Sequence, residues 1–241
     1  MKRAIVTLVL LLLLVVTSLP AIAQELLVVG EAVEGEITND AFSVSYLYEG
    51  TAGEIIIVDL WPVDILADYD NPAIAIRLND EEILRYDGFG NTTIVTQLPE
   101  DGMYTIVATR RDDAEGTSVG EYTLLLRNPT LLTLGEPVSA EIDSELTHYY
   151  YYDGKDDFML SFARDGDFAP QVAINTVDTS ATPGRLEAVA AMAGVAVSQG
   201  NMGIIPGSSV YVITVGEPPF SINFGNPTAE YALGLYLPEK E

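Results

Sequence analysis

The same succession of landmarks runs through this chain twice, and nothing else constrains its fold as tightly. The stretch from Leu27 to Ile37 (LVVGEAVEGEI) is echoed from Leu132 to Ile142 (LTLGEPVSAEI). Leu98 to Ile106 (LPEDGMYTI) returns as Ile205 to Ile213 (IPGSSVYVI), and Gly120 to Leu124 (GEYTL) as Ala229 to Leu233 (AEYAL). The offsets are 105, 107 and 109 residues, so the landmark order is kept across a whole domain length. Solenoid repeats are far shorter, and a period near 100 residues suits two tandem domains. Repeat one covers residues 25–127 and repeat two residues 131–237, joined by Asn128-Pro129-Thr130. A linker that short holds the two domains close together.

Within each repeat the dominant period is two. Phe42, Val44, Tyr46 and Tyr48 alternate with Ser43, Ser45 and Leu47, as in a strand with one buried face. Glu54 to Leu60 is a β-branched run bounded by Gly53 and Trp61-Pro62, which reads as a central strand. Ala73 to Leu78 and Glu82 to Tyr86 flank Asn79-Asp80-Glu81 as a hairpin would. Asn91 to Gln97, Met103 to Thr109 and Tyr122 to Arg127 bring the count to about eight strands. Many short strands with turn residues between them predict an all-β chain of two antiparallel β-sandwich, jelly-roll-like domains. Repeat two departs once from the plan: Pro72 to Pro99 spans 27 positions and Pro170 to Pro206 spans 36, with the excess placed around Thr179 to Glu187. Arg185 to Val197 is alanine-rich and has helix propensity, but its repeat-one counterpart is a strand, so strand is favoured there.

These residues also carry a family resemblance. Tyr46-Leu47-Tyr48 with Ala52-Gly53, Asn71-Pro72 to Ile76 with Asn79-Asp80, Leu98 to Val107, and Gly120 to Leu124 resemble, in order, the motifs of bacterial pre-peptidase C-terminal domains. The resemblance covers nearly all of repeat one. Repeat two keeps Tyr150 to Gly154, Ile205-Pro206, Tyr211 and Tyr231 and lacks the Asp-Gly turn, so it is a divergent copy. The resemblance implies a non-catalytic β-sandwich of the kind attached to secreted peptidases and surface proteins. No peptidase domain accompanies it here.

The N-terminus predicts export. Lys2 and Arg3 precede an apolar run from Ile5 to Val16, Pro20 breaks it, and Ala21-Ile22-Ala23 supplies small residues for a signal peptidase. Residues 1–23 read as a signal peptide cleaved before Gln24, with an extracellular or cell-envelope destination. The run is shorter than the roughly 20 residues a spanning helix needs, so no stable membrane insertion is expected after cleavage. The chain has no cysteine, hence no disulfide framework and no lipidated cysteine. Once Lys2 and Arg3 are removed, 9 basic residues face 36 acidic ones, a formal charge of −27. Such a charge argues against nucleic acid and anionic lipid as partners. With 48% hydrophobic residues the chain is nevertheless a folding one.

Candidate sites are few. His148 is the only histidine; it lies among strand residues, without a second histidine for zinc or a Gly-x-Ser-x-Gly elbow, and reads as structural. It opens the run Tyr149-Tyr150-Tyr151-Tyr152. Repeat two loses one residue between Ile142 and Gly154, and the place of that gap decides which tyrosines face inward. Either Tyr149 and Tyr151 match Val44 and Tyr46, or Tyr150 and Tyr152 match Tyr46 and Tyr48. Both choices leave two tyrosines on the opposite face, as a contact with repeat one, an aromatic binding platform, or plain sheet surface; the contact is favoured. Three acidic clusters are candidates for calcium: Asp64, Asp68 and Asp70, the best of them; Asp153, Asp156 and Asp157; and Asp165 with Asp167. None matches an EF-hand spacing, calcium is not expected to be essential, and no other cofactor is implied.

The expected function is therefore non-enzymatic: an exported tandem β-sandwich that binds or spaces a cell-surface protein or polysaccharide. The alternatives are a secreted hydrolase using paired carboxylates about 5–9 Å apart, and a calcium-dependent carbohydrate- or peptide-binding protein.

Overall fold

The computed structural model describes residues 24–63, 71–144, 146–178, 185–192, 199–207, 209–216 and 227–238. Among these residues eighteen strands form four sheets, two in each of two sandwich-like lobes. In lobe one, β1 (Glu25–Leu26), β3 (Ser43–Gly50), β8 (Gly102–Arg110), β5 (Pro72–Leu78) and β6 (Glu81–Asp87) lie side by side in that order. The facing sheet is β2 (Ala32–Ile37), β9 (Gly120–Arg127), β4 (Ile55–Pro62) and β7 (Thr92–Gln97). In lobe two, β10 (Thr130–Leu131), β12 (His148–Tyr152), β17 (Tyr211–Gly216), β14 (Gln171–Asp178) and β15 (Arg185–Met192) repeat the first order. The second order returns as β11 (Val138–Asp143), β18 (Thr228–Tyr236), β13 (Met159–Gly166) and β16 (Gln199–Asn201). Strand n of lobe one thus occupies the place of strand n+9 of lobe two. Each lobe has nine strands, one more than the alternation predicts, because β1 and β10 are two-residue edges. Both pair in parallel, with β3 and β12, in otherwise antiparallel sheets.

The correspondence extends to single residues. Tyr46 and Tyr48 pair with Ile106 and Tyr104, as Tyr150 and Tyr152 pair with Ile213 and Tyr211. The one-residue gap in repeat two therefore precedes the tyrosine run. Both inner hairpins shift register at one equivalent point, after Ile76 and after Ile174. Lobe one makes its hairpin turn with Asn79 and Asp80 alone, both at positive φ (51° and 65°), the geometry of a two-residue type I′ connection. Lobe two has six residues between β14 and β15, so its added length lies only partly in that loop. Arg185 to Met192 is a strand, since β14 offers it a ladder and tertiary pairing outweighs helix propensity, and residues 193–197 of that stretch lie outside the described residues.

Alternation builds one core per lobe. Ile56, Val58, Leu60, Ile74, Ile76, Tyr104, Ile106 and Tyr122 fill the first, and Phe158, Leu160, Ile174, Tyr211, Ile213, Tyr231 and Leu233 the second. Each core contains a tyrosine pair joined through its hydroxyls, Tyr46 to Tyr122 at 2.8 Å and Tyr150 to Tyr231 at 2.6 Å. A buried hydroxyl costs free energy unless it is bonded, and each ring here partners the other. Each core also has a tyrosine that donates to its own loop, Tyr104 to the Glu100 carbonyl and Tyr211 to the Pro206 carbonyl, both at 2.6 Å. At one end of lobe one the fully buried Arg110 donates to the carbonyls of Asp113, Ala114 and Ser118 and to Asn39, fixing the β8–β9 loop. Among the described residues no helix is long and apolar enough to cross a membrane.

Candidate functional site

The same alternation that sends Ile56, Val58 and Leu60 into the first core turns Ile55, Ile57, Asp59 and Trp61 to the other face of β4. That face meets lobe two. Ile55, Ile57 and Val95 of lobe one close against Val212, with Tyr149, Tyr151 and Val210 packed around them. The tyrosine run is thus divided. Tyr150 and Tyr152 belong to the core of lobe two, whereas Tyr149 and Tyr151 belong to the seam between the lobes. The four rings do not make one open platform, because opposite faces of β12 are covered by different partners.

The seam becomes polar at Asp59. This carboxylate is buried, accepts from the Thr93 hydroxyl at 2.5 Å through Oδ1, and lies 3.1 Å from Arg127 Nη2 through Oδ2. Arg127, the last residue of β9, also donates through Nη1 to the Thr147 carbonyl of lobe two at 3.3 Å. Its guanidinium lies 5.4 Å from the Trp61 ring centre and 5.6 Å from that of Tyr149, so one cation is flanked by an aromatic ring from each lobe. Burial raises the Asp59 carboxyl above its ordinary value, and the Thr93 hydrogen bond and the Arg127 charge work against that rise. Tyr149 is held neutral by burial and by the nearby Asp59 carboxylate, which raise its pKa.

These residues line a cavity of about 390 Å³, with Asn91 and Thr147 completing its wall. A second cavity of about 400 Å³ shares Arg127, Thr147 and Tyr149 with the first and adds Leu146, His148 and Tyr150. A third, of about 580 Å³, is a trough on the outer face of β11, β18 and β13, floored by Ala163 and Ala232 and edged by Glu141, Asp165 and Glu230.

The Asp59–Arg127 pair has no counterpart at the equivalent positions of lobe two. Strand pairing places Ser161 where lobe one has Asp59, Ala163 where it has Trp61 and Tyr236 where it has Arg127. Sequence reasoning passed over all three residues. Asp59 is one polar residue in an apolar run, on the face of β4 turned away from the core of lobe one. The signal was available in the mismatch between Asp59 and Ser161 and between Arg127 and Tyr236, once the registers are aligned.

His148 sits at the start of β12 with Nδ1 2.7 Å from the Tyr231 hydroxyl, which also meets Tyr150. Burial lowers its pKa, with the Arg127 charge assisting and Asp143 opposing. A neutral imidazole that accepts at Nδ1 lets Tyr231 donate to it and receive from Tyr150, so all three groups are satisfied. Val44 holds this place in lobe one, where the tyrosine pair has no histidine beside it. Of the acidic clusters, Asp64, Asp68 and Asp70 lie outside the described residues. Asp157 accepts from the Gly207 amide at 3.0 Å, and the Asp156 carbonyl from the Tyr152 hydroxyl at 3.2 Å. Among the described residues, no three of His, Cys, Asp and Glu are gathered so as to hold a metal ion.

No family model matches the chain, and no curated protein does. Solved structures similar to it include tripeptidyl peptidase 2, at TM-score 0.28 and 8% identity, over 87% of this chain and 24% of that one. The chain therefore spans about a quarter of the peptidase's length. The tandem CBM51 modules of a family 98 glycoside hydrolase from Streptococcus pneumoniae are similar at TM-score 0.27 and 7% identity, over 84% of both chains. The PBSX exported protein XepA is similar at TM-score 0.27 and 8% identity, over 86% of both. Likeness of that degree carries no argument about activity or ligand. What the coordinates establish is an all-β protein of two similarly built sandwich lobes that meet through an apolar seam ending in a buried ion pair.

Proposed function

We propose that this protein is an exported, non-catalytic binding module of the cell envelope or cell surface, made of two pre-peptidase C-terminal-like sandwiches held as one unit. The observation that carries the reading is the Asp59–Arg127 pair at the wall of the interlobe cavity. Taking the Asp59 charge out of water costs several kcal/mol, and a purely mechanical seam is served as well by apolar residues. The equivalent positions of lobe two, Ser161 and Tyr236, lack the pair and lie on the sheet face turned away from the seam. A polar cavity built by both lobes is what recognition of a ligand uses. Export is supported by the basic, apolar and small-residue regions of the first 23 residues. The family is supported by the order of its motifs along repeat one.

Cell fractionation with N-terminal sequencing tests the address: exported protein beginning at Gln24 is expected, and exported material still beginning at Met1 overturns it. Titration of labelled protein onto isolated envelopes tests the role. Saturable retention with no release of sugar or peptide fragments is expected. Absence of retention refutes the binding role, and fragment release refutes the non-catalytic one.

A further inference from the structure

The two lobes meet by unlike faces. Lobe one presents the outer face of β4 and β7, through Ile55, Ile57 and Val95, and lobe two the outer face of β12 and β17, through Tyr149, Tyr151 and Val212. The repeat gives each lobe one face of each kind. Among the described residues two faces are therefore left over: that of β3 and β8 in lobe one, and that of β13 and β18 in lobe two. Both keep apolar residues at positions that form the seam. Leu47 stands where lobe two has Tyr151, and Met103 where it has Val210. Leu26 pairs beside Leu47, and Leu26 and Met103 are 57% and 49% exposed. On lobe two, Met159 stands where lobe one has Ile57. The bridge from Phe158 to Ile205 repeats the pairing of Ile56 with Thr96, which puts Ile204, 60% exposed, at the place of Val95. Tyr236, 39% exposed, pairs with Met159.

We propose that a second copy of this chain covers these faces. The outer face of β3 and β8 of one copy packs on the outer face of β13 and β18 of the next, repeating between copies the seam that joins the lobes within each. The seam itself identifies the occupant: a face of the first kind closes a face of the second, and each copy carries one free example of both. Exposed apolar groups gathered on a sheet face mark an interaction surface. The match is partial, since Thr105, Ser45 and Asp157 stand where the seam has Val212, Tyr149 and Ile55, so the contact between copies is weaker than the one within a copy. The acidic row Glu141, Glu230 and Asp165 on the lobe-two face does not obstruct it, because the lobe-one counterparts Glu36 and Glu121 stay exposed with the seam in place. Because the two faces differ, pairing is head to tail. A dimer still offers one free face at each end, and association runs past two copies. A formal charge of −25 makes the copies repel, so screening by salt favours the contact.

The protein from Gln24 onward, both lobes included, is followed by sedimentation velocity from about 1 to about 200 μM, in about 0.05 M and about 0.5 M sodium chloride. The weight-average sedimentation coefficient should rise with concentration past that of a dimer, and rise further in the higher salt. Met103→Glu and Ile204→Glu each put a charge on one of the two faces, and since both sites are exposed the circular dichroism melt should not change. Each variant alone should weaken association at least about tenfold, as an unpaired charge closed into an apolar contact does. Mixed, the two should form a one-to-one dimer that neither forms alone and that grows no further, because each keeps the face the other has lost. Leu26→Glu and Tyr236→Lys test the same two faces should a melt shift at either first site. The proposal is overturned if the protein stays monomeric at every concentration and salt, if association stops at the dimer, or if it weakens as salt rises. It is equally overturned if either face's variants associate like the parent, or if the mixed variants do not pair.

Discussion

Replacing Arg127 with methionine isolates the charge at the seam, because methionine keeps an apolar stem between Trp61 and Tyr149 while leaving the Asp59 carboxylate without its counter-ion. Removing one partner of a buried pair costs about 3–5 kcal/mol. The Asp59 side chain is 2% exposed and that of Arg127 23%, so the lower end, about 3 kcal/mol at pH 7, is expected. Protonation sets a ceiling. Asp59 escapes its unpaired charge by taking up a proton, which from the ordinary carboxyl value of 3.8 costs about 4.4 kcal/mol at pH 7 and about 1.6 at pH 5. The deficit must therefore shrink by about 1.4 kcal/mol or more between pH 7 and pH 5. The sign follows from linkage. The folded carboxyl is raised above its unfolded value, so the folded state binds the proton more readily and loses stability as pH rises through that window. Without Arg127 the rise is larger. The assay is urea unfolding followed by Trp61 emission and checked by circular dichroism. The double variant Asp59→Ser, Arg127→Tyr, which installs the lobe-two residues, should recover most of the loss and abolish its pH dependence. A deficit below about 1 kcal/mol at pH 7, or one equal at both pH values, would refute the reasoning.

Three further outcomes are expected. Tyr231→Phe strands His148 Nδ1 and the Tyr150 hydroxyl together and should cost about 1–3 kcal/mol in chemical unfolding, most of it recovered when Tyr150→Phe and His148→Val are added. Because burial holds His148 below its ordinary 6.5, the folded state binds fewer protons than the unfolded one between those two values. Stability is therefore full above about pH 6.5 and falls as pH drops through that window; melting temperatures from pH 7.5 to 5 should show a shallower fall in His148→Val than in the wild type. Ile57→Asp places a charge in the apolar part of the seam without unpacking either core, so calorimetry should show the lobes melting separately and proteases should cut near residues 128–130; a single unchanged transition would count against the seam.

Much of the fold is legible because it depends on local rules. Alternation at Val44, Tyr46 and Tyr48 states which face of a strand is apolar, and the Asn79-Asp80 turn states where the chain reverses. The repeated landmarks state that lobe two follows lobe one, so that even the alanine-rich Arg185 to Met192 is a strand. Alternation cannot say what covers the second face of a sheet. Tyr149 and Tyr151, like Ile55 and Ile57, are outward residues whose burial depends on another lobe arriving over them. Asp59 makes the point most clearly. Along the chain it is an acid on the solvent side of a strand, an unremarked neighbour of Leu60. The seam buries it, pairs it with an arginine 68 positions away and sets both beside aromatic rings from the two lobes. The sequence by itself determined the two lobes, most of their strands and the inward faces that build the cores, because side-chain direction in a strand is a local property. The tertiary structure alone decided the seam and its cavity, because the environment of an outward-facing charge is set by whatever packs against it.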